Sequence, residues 1–195
     1  MFDKIPFARG HRSMVYLINK HGKTFILKEE RKDIQAFNRI KNEINWLKIL
    51  NKKGIGPKFI EEGANSFICE YINGDRIIPW TEKNSKVKIK NMLTNVLNQC
   101  RELDLLKVNK LEMNYPYKHI MVDKKPVMID FERMKKTPTP KNVTQFCQFI
   151  ISNKYYRILE QKKFSFEPEE LINLARDYKK DYSKKKFDKI INYLK

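Results

Sequence analysis

Short runs rich in β-branched and aromatic residues dominate the first third of the chain. Four such runs share this composition: residues 14–19, 24–28, 58–62 and 66–72. The first two flank a turn-forming segment at residues 20–23, and the last two flank another at residues 63–65. A strand pair separated by a short segment with glycine is a hairpin signal. The pattern therefore predicts a twisted antiparallel sheet up to Ile72.

An apolar stripe at helical spacing lies between the two predicted hairpins. Its members are Phe37, Ile40, Ile44, Leu47 and Leu50. A recurrence every three or four residues is typical of one buried helix face. The segment from Gly54 to Pro57 should end this helix, because glycine suits the position after a helix and proline cannot continue one.

Beyond Trp80 the hydrophobic pattern becomes mainly helical. Residues 87–106 predict one long helix, and further apolar helix faces occur within residues 143–150, 171–178 and 187–194. The exception is a hairpin with strands at residues 120–122 and 127–129, which ends at Asp130. The predicted fold class is α+β, with a sheet-rich first part and a mainly helical second part.

The composition indicates that the chain can form a hydrophobic core and that it carries a strong positive charge. The 195 residues are 41% hydrophobic and 12% aromatic, which suffices for one domain or two small lobes. There are 41 Lys and Arg against 23 Asp and Glu, a formal charge of +18. This charge favours anionic partners such as nucleic acid, phosphate ligands or acidic proteins. A lysine-rich surface with many ion pairs, as in heat-adapted proteins, is the alternative explanation.

Cysteines and apolar segments bear on the redox chemistry and location. Cys69, Cys100 and Cys147 are far apart and odd in number, so they are predicted to be small buried hydrophobic residues. No apolar run approaches membrane-spanning length, and the first residues do not resemble a signal peptide. We therefore expect no membrane partner and a cytoplasmic location.

Three ionisable residues lie beside segments that are predicted to be buried. Asp130 follows a strand predicted to be buried, and Lys28 ends the second strand. Glu43 lies at the edge of the helix stripe, where a carboxylate costs free energy unless a cation pairs with it. Lys48 on the same helix is one ordinary partner for it.

The order of these features resembles that of protein kinases: glycine turn, strand lysine, helix glutamate, hinge, long helix, loop, hairpin and aspartate. The chain is similar to small atypical archaeal kinases related to the RIO kinases and to the kinase of the KEOPS tRNA-modifying complex. The resemblance is strongest to predicted archaeal serine/threonine kinases, at Lys-His-Ile-Met-Val (residues 118–122) and Ile-Asp-Phe-Glu (residues 129–132). It spans roughly residues 8–134.

This resemblance implies one two-lobed, kinase-like domain over residues 1–195. The implied parts are an antiparallel-sheet N-lobe with one helix (1–72), a hinge (73–79) and a short, mainly helical C-lobe (80–195). Only about sixty residues follow Arg133, and they contain no Ala-Pro-Glu motif. The surface with which typical kinases hold a peptide is therefore reduced.

The resemblance also implies contacts to ATP and a metal ion. The turn expected to cover the phosphates consists of Gly10, His11, Arg12 and Ser13. Lys28 would bind the α and β phosphates, Glu43 would position that lysine, and Asp130 would bind magnesium. The residues expected near adenine are Glu70 and Ile72, through their backbone, and Val15, Ile26 and Met121, through their side chains. Plain core packing is the alternative for these last three.

The loop before the hairpin departs from the kinase pattern and allows two alignments. In one, Asn114 takes the place of the catalytic aspartate, and an amide has no useful basicity. In the other, which we prefer, Glu112 takes that place and can accept the substrate proton. His119 occupies the second metal position in both. Since imidazole suits Mn²⁺ better than Mg²⁺, we expect manganese to be tolerated or preferred.

The expected function is that of an ATP-dependent phosphotransferase of the atypical serine/threonine protein kinase type, including autophosphorylation. Its protein substrate is unknown. One alternative is a catalytically weak, nucleotide-binding pseudokinase or ATPase-like module that acts in an RNA- or ribosome-associated complex. A basic adaptor for RNA or ribonucleoprotein and a small-molecule kinase also remain open, although Glu112 in place of aspartate counts against the latter.

Overall fold

The structure is a computed structural model that describes residues 3–31 and 39–194. The chain forms two compact units, of which the first comprises residues 1–73 and 127–134 and the second residues 74–126 and 135–195. Seven α-helices and an antiparallel five-stranded sheet in the described residues confirm the predicted α+β class.

The five-stranded sheet forms most of the first unit. Its strands are β1 (Ile5–Arg9), β2 (Ser13–Lys20), β3 (Lys23–Glu30), β4 (Phe59–Gly63) and β5 (Ser66–Glu70). They are arranged in the order β1-β2-β3-β5-β4, so β3 is the central strand. The predicted hairpins are thus present as β2–β3 and β4–β5.

The β2–β3 turn shows why the sequence folds locally in this way. His21 and Gly22 both have positive φ, 52° and 73°, as a two-residue type I′ hairpin requires. The Asn19 side-chain oxygen accepts the Gly22 N–H at 3.1 Å. The turn therefore follows directly from the residues at 19–22.

Strand β1 was not predicted. Residues 8–13 have a turn-forming composition, but Ala8 and Arg9 belong to this strand, which lies at the edge of the sheet. All five of its residues are exposed, so its sequence lacks the alternation that marks a half-buried strand.

The helix of the first unit is α1 (Arg39–Asn51). It buries Ile40, Ile44, Leu47 and Leu50, as the stripe predicted, whereas Phe37 lies outside the described residues. The side-chain amide of Asn51 donates to the carbonyls of Ile55 and Pro57, at 3.1 and 3.0 Å. These bonds fix the chain reversal after α1.

The second unit is mainly helical. Its helices are α2 (Ile77–Lys83), α3 (Lys86–Leu105), α4 (Asn142–Ile150), α5 (Asn153–Gln161), α6 (Pro168–Asp181) and α7 (Lys184–Tyr193). Its strands include β6 (Asp75–Arg76), β7 (Val108–Asn109) and β8 (Ile120–Val122), and β9 (Pro126–Met128) leads back to the first unit. A last strand, β10 (Lys135–Lys136), pairs with β7.

The long helix and the hairpin strands β8 and β9 were predicted, but α2 and α5 were not. Both missed helices are short, and α2 begins at Ile77, three residues after Gly74 and within the segment predicted to be a hinge. The predicted apolar face of α3 is buried: Ile89, Leu93, Val96, Leu97, Cys100 and Leu103.

A buried polar network fixes the start of the loop that contains Glu112. The Asp104 carboxylate, at the end of α3, accepts the backbone and side-chain N–H groups of Asn142, at 2.9 and 2.7 Å. The side-chain oxygen of Asn142 in turn accepts the Lys110 N–H at 2.8 Å. Because all three residues are at most 2% exposed, the loop leaves β7 from a rigid base.

All three cysteines are free and buried, which confirms the prediction. Among the described residues, none of the helices combines the length and the apolar character needed to cross a membrane.

Candidate functional site

The candidate site of the first unit begins with Lys28 on the central strand. Val15 of β2 and Phe67 of β5 flank it in the sheet. With a strand on either side and Glu43 of α1 in contact with its ammonium, the lysine is only 8% exposed. A buried lysine needs a compensating anion, so Lys28 is not an ordinary solvated lysine of a strand end.

Two carboxylates supply this compensation. The Lys28 Nζ donates to Glu43 Oε2 at 2.6 Å and to Asp130 Oδ1 at 3.1 Å. Glu43, on α1, is 3% exposed. Lys48, the alternative partner, pairs instead with Glu62 at 2.6 Å. The structure thus brings together three predicted site residues that are up to 102 positions apart in the chain.

The carboxylates around Lys28 stabilise its positive charge. Burial by itself lowers the pKa of Lys28, but the carboxylates of Glu43 and Asp130 outweigh it and raise this pKa above its ordinary value. Burial raises the pKa of Glu43, whereas the Lys28 ammonium opposes that change. Lys28 is therefore a fixed positive charge at any physiological pH.

The backbone at Asp130 is held in an uncommon conformation. Its φ of 65° lies in the left-handed region, which aspartate tolerates better than most residues. The next residue, Phe131, donates its N–H to Glu43 Oε1 at 3.2 Å and has its ring 1% exposed. Glu43 therefore accepts from Lys28 through one oxygen and from the Asp130 segment through the other.

A third carboxylate, Glu132, joins the acidic side of the cluster. Glu43, Asp130 and Glu132 each have a carboxylate oxygen within 4.8 Å of the others. With Lys28 counted, the ionised group carries two negative charges in excess. Oxygen donors and this excess charge fit a divalent cation such as Mg²⁺ or Mn²⁺.

The turn that precedes β2 is braced from the end of β3. The Gly10 N–H donates to Ser13 O at 2.9 Å, which closes the turn. The Arg31 guanidinium donates to the carbonyls of Gly10 and His11, at 3.3 and 3.2 Å, and the Arg31 N–H donates to Arg12 O at 3.0 Å. Since a peptide C=O and the following N–H point in opposite directions, the His11 and Arg12 N–H groups face away from the guanidinium.

The residues predicted to contact adenine lie in different elements. In the first unit Val15 and Ile26 are half-buried on β2 and β3, and Ile72 is half-buried after β5. Glu70 uses its N–H within this unit, donating to Lys58 O at 2.9 Å. In the second unit Met121 is half-buried on β8, opposite Arg76 of β6.

The second unit contains the other predicted catalytic residues. Glu112 Oε2 and His119 Nε2 are 3.0 Å apart, with side chains 37% and 18% exposed. Glu112 also has a left-handed φ of 76°, and such strain is often found at functional positions. Asn114 is half-buried in the same loop. His119 is thus placed against Glu112, a contact that the sequence did not predict.

Sequence reasoning missed several residues around Lys28. Glu132 is expected only as part of the Ile-Asp-Phe-Glu motif, although a second carboxylate two residues after Asp130 was a usable signal. Arg31 gave no signal because its partners are backbone carbonyls. Asn42, next to Glu43 on α1, also gave none, since an asparagine on a helix usually faces solvent.

Comparison with known proteins adds no identification. No protein-family model matches the chain, and no curated protein matches it significantly.

Proposed function

We propose that this protein is an ATP-dependent phosphotransferase with a protein-kinase-like fold, of the atypical serine/threonine kinase type. The observation that carries the proposal is the buried Lys28, whose ammonium contacts Glu43 at 2.6 Å and Asp130 at 3.1 Å. A lysine charged and oriented in this way is suited to phosphate oxygens, and the partly exposed Asp130 carboxylate is suited to a cation.

The site residues of the first unit each have a defined role in this proposal. Lys28 binds the α and β phosphates, and Glu43 holds the lysine in place. The turn of residues 10–13 offers the His11 and Arg12 N–H groups to the phosphates, as concave runs of backbone N–H groups do in other anion sites. These contacts would act by positioning the γ-phosphate and by neutralising its charge.

Asp130, with Glu132 beside it, is the proposed ligand set for Mg²⁺ or Mn²⁺. The oxygen donors and excess negative charge fit such an ion. When bound, the metal supplies charge neutralisation on the phosphate oxygens. Glu43 is occupied by Lys28 and the Phe131 N–H, so we assign it to positioning rather than to metal binding.

Glu112 is the proposed acceptor of the substrate hydroxyl proton. His119 Nε2–H can donate to this carboxylate across the 3.0 Å contact and so orient it toward the substrate hydroxyl. The proposed role of His119 thereby extends beyond the metal position expected for it.

The test is transfer of label from [γ-³²P]ATP to the protein itself and to a general substrate such as casein, in Mg²⁺ and in Mn²⁺. We expect incorporation by the wild type, with equal or higher rates in Mn²⁺. Asp130→Asn should abolish transfer, because asparagine keeps the left-handed backbone and removes the charge. Asp123→Asn is the matched control, since Asp123 is exposed in the hairpin turn.

Glu112→Gln separates catalysis from binding. It should lower the transfer rate by about 100-fold or more, as loss of a general base does, while ATP affinity stays unchanged. ATP binding without transfer in the wild type would contradict the phosphotransferase proposal.

A nucleotide-binding pseudokinase, or an ATPase-like module of an RNA- or ribosome-associated complex, is the second candidate. The 3.0 Å contact to His119 favours it, because Glu112 already has a partner within its own loop. In that case ATP binds through Lys28, and Glu112→Gln changes nothing. RNA retention on filters over a salt series tests the association with RNA, for which the charge of +18 predicts a steep loss with salt.

A further inference from the structure

Side chains of one helix hold the backbone that follows Asp130. The Asn42 Nδ2 donates to the carbonyls of Glu132 and Met134, at 2.8 and 3.2 Å. The Trp46 Nε1 donates to the same Met134 carbonyl at 3.1 Å. Because Asn42 and Trp46 are four residues apart on α1, they form one continuous row of donors.

These bonds are independent of the contacts that Glu43 makes. Glu43 holds the segment at its start, by accepting the Phe131 N–H at 3.2 Å. Asn42 holds it two and four positions beyond Asp130, through carbonyl groups. The amide of Asn42 suits this task, because its NH₂ has two hydrogens and can serve two acceptors.

The left-handed backbone at Asp130 explains why a second anchor matters. The left-handed φ of 65° costs aspartate less than most residues, but it is still a minor conformation that surrounding contacts must stabilise. Without the Asn42 bonds, residues 132–134 could relax, and the Asp130 carboxylate would lose its fixed direction. The donors on α1 therefore bear on the geometry of the proposed metal ligand.

We propose that Asn42 is a positioning residue for metal binding at Asp130, acting through the backbone of residues 132–134. This inference rests on the proposed function, since it takes Asp130 to be the metal ligand. Helix α1 would then position both Lys28, through Glu43, and the metal ligand Asp130, through Asn42.

The experiment compares Asn42→Ala with Asn45→Ala. Asn45 is an exposed asparagine on the same helix, so the control matches residue type, helix and substitution. Binding of Mn²⁺ is followed by the electron paramagnetic resonance signal of the free ion, with and without the non-hydrolysable analogue AMP-PNP. Hydrogen exchange of residues 128–134 is measured without ligands.

We expect Asn42→Ala to weaken Mn²⁺ binding about tenfold or more, as loss of groups that orient metal ligands does. Exchange at residues 131–134 should also accelerate. Asn45→Ala should match the wild type in both measurements. Asn42→Ser keeps one donor, so its Mn²⁺ affinity and exchange rate should lie between those of Asn42→Ala and the wild type. This variant replaces Asn42→Ala in the comparison if the alanine variant does not fold.

Two results would overturn the inference and are distinguishable. Mn²⁺ binding by the wild type with unchanged affinity in Asn42→Ala removes the role of Asn42 and leaves the proposed function standing. Absence of Mn²⁺ binding in the wild type, with and without AMP-PNP, removes both.

Discussion

Lys28 is both a buried residue of the sheet and a charged residue of the candidate site. Its position on the central strand removes it from water, and the two carboxylates at 2.6 and 3.1 Å restore its stabilisation as a cation. A buried pair of this kind is a weak source of stability, because desolvation offsets most of the attraction. Its value in this protein lies in holding one positive charge in a fixed direction.

Lys28→Met should destabilise the fold by about 3–5 kcal/mol, because Glu43 is left buried without its cation. The double variant Lys28→Met/Glu43→Met should recover much of that loss, since no charge then remains unpaired between them. Urea unfolding measures both, and ATP binding should be lost in both. Equal destabilisation of the single and double variants would show that the pair itself stabilises the fold.

At the scale of elements, helix α1 and the chain reversal after it organise the first unit. One face of α1 packs into the core, while Glu43, Asn42 and Trp46 reach the segment that carries Asp130. Gly56, just beyond the helix, leaves room for the Phe131 ring. The chain reversal after α1 therefore packs against Phe131, the residue next to the candidate metal ligand Asp130.

Gly56→Ala should be far more harmful than Gly54→Ala. Both glycines have positive φ, 83° and 68°, so each substitution carries a backbone cost of about 1–2 kcal/mol. A Cβ at Gly56 would also lie 2.9 Å from the Phe131 ring, whereas a Cβ at Gly54 meets nothing within 4 Å. Overpacking should add about 1–3 kcal/mol at Gly56 alone.

Thermal or urea unfolding of the two variants checks this difference. Equal losses of stability would mean that the Phe131 ring moves aside at no cost.

The connection between α6 and α7 gives a prediction about pH. Hydrogen bonds from the Lys186 Nζ, at 2.8 Å, and from the Ser183 N–H lower the pKa of Asp181 to about 2. A folded-state pKa below the ordinary 3.8 means that the ionised carboxylate stabilises the fold above pH 3.8. That contribution is lost as the pH falls through about 2.

Carbon-13 NMR titration of the Asp181 carboxyl should therefore give a midpoint near 2, and Lys186→Ala should raise it. A wild-type midpoint near the ordinary value would mean that this ion pair does not persist in solution.

At the scale of the whole molecule, net charge and burial have opposite effects on the reactivity of the cysteine thiols. The excess of 18 positive charges would favour thiolates near the surface. Burial instead raises the pKa of Cys69 and Cys147 to about 12 each, and it raises that of Cys100 well above its ordinary value. Burial therefore decides the behaviour of the thiols.

In the native protein at pH 8, Ellman's reagent should label none of the three cysteines within the time that labels all three in urea. The reason is that native thiolate is scarce and the sulfur atoms are enclosed. Rapid labelling of one thiol in the native state would reveal local opening, and mass spectrometry of the labelled peptides would assign it.

The sequence by itself determined the features that depend on neighbours along the chain. Turn residues such as His21 and Gly22 fixed the first hairpin, and the spacing of apolar residues fixed α1 and α3. A short exposed strand such as β1 and short helices such as α2 and α5 lacked such a signal. Strand β1 has no buried face, and α2 and α5, although they bury residues, are only 7 and 9 residues long, too short to repeat a helical pattern.

Only the tertiary structure decided which polar groups meet. Lys28 and Asp130 were each notable in the sequence, but their contact joins residues 102 positions apart. The choice of Lys28 over Lys48 for Glu43, and the positions of Asn42 and Glu132, likewise depend on how β3, α1 and the segment after β9 pack. Side-chain pairing across elements depends on distance in space, and spacing along the chain does not encode that distance.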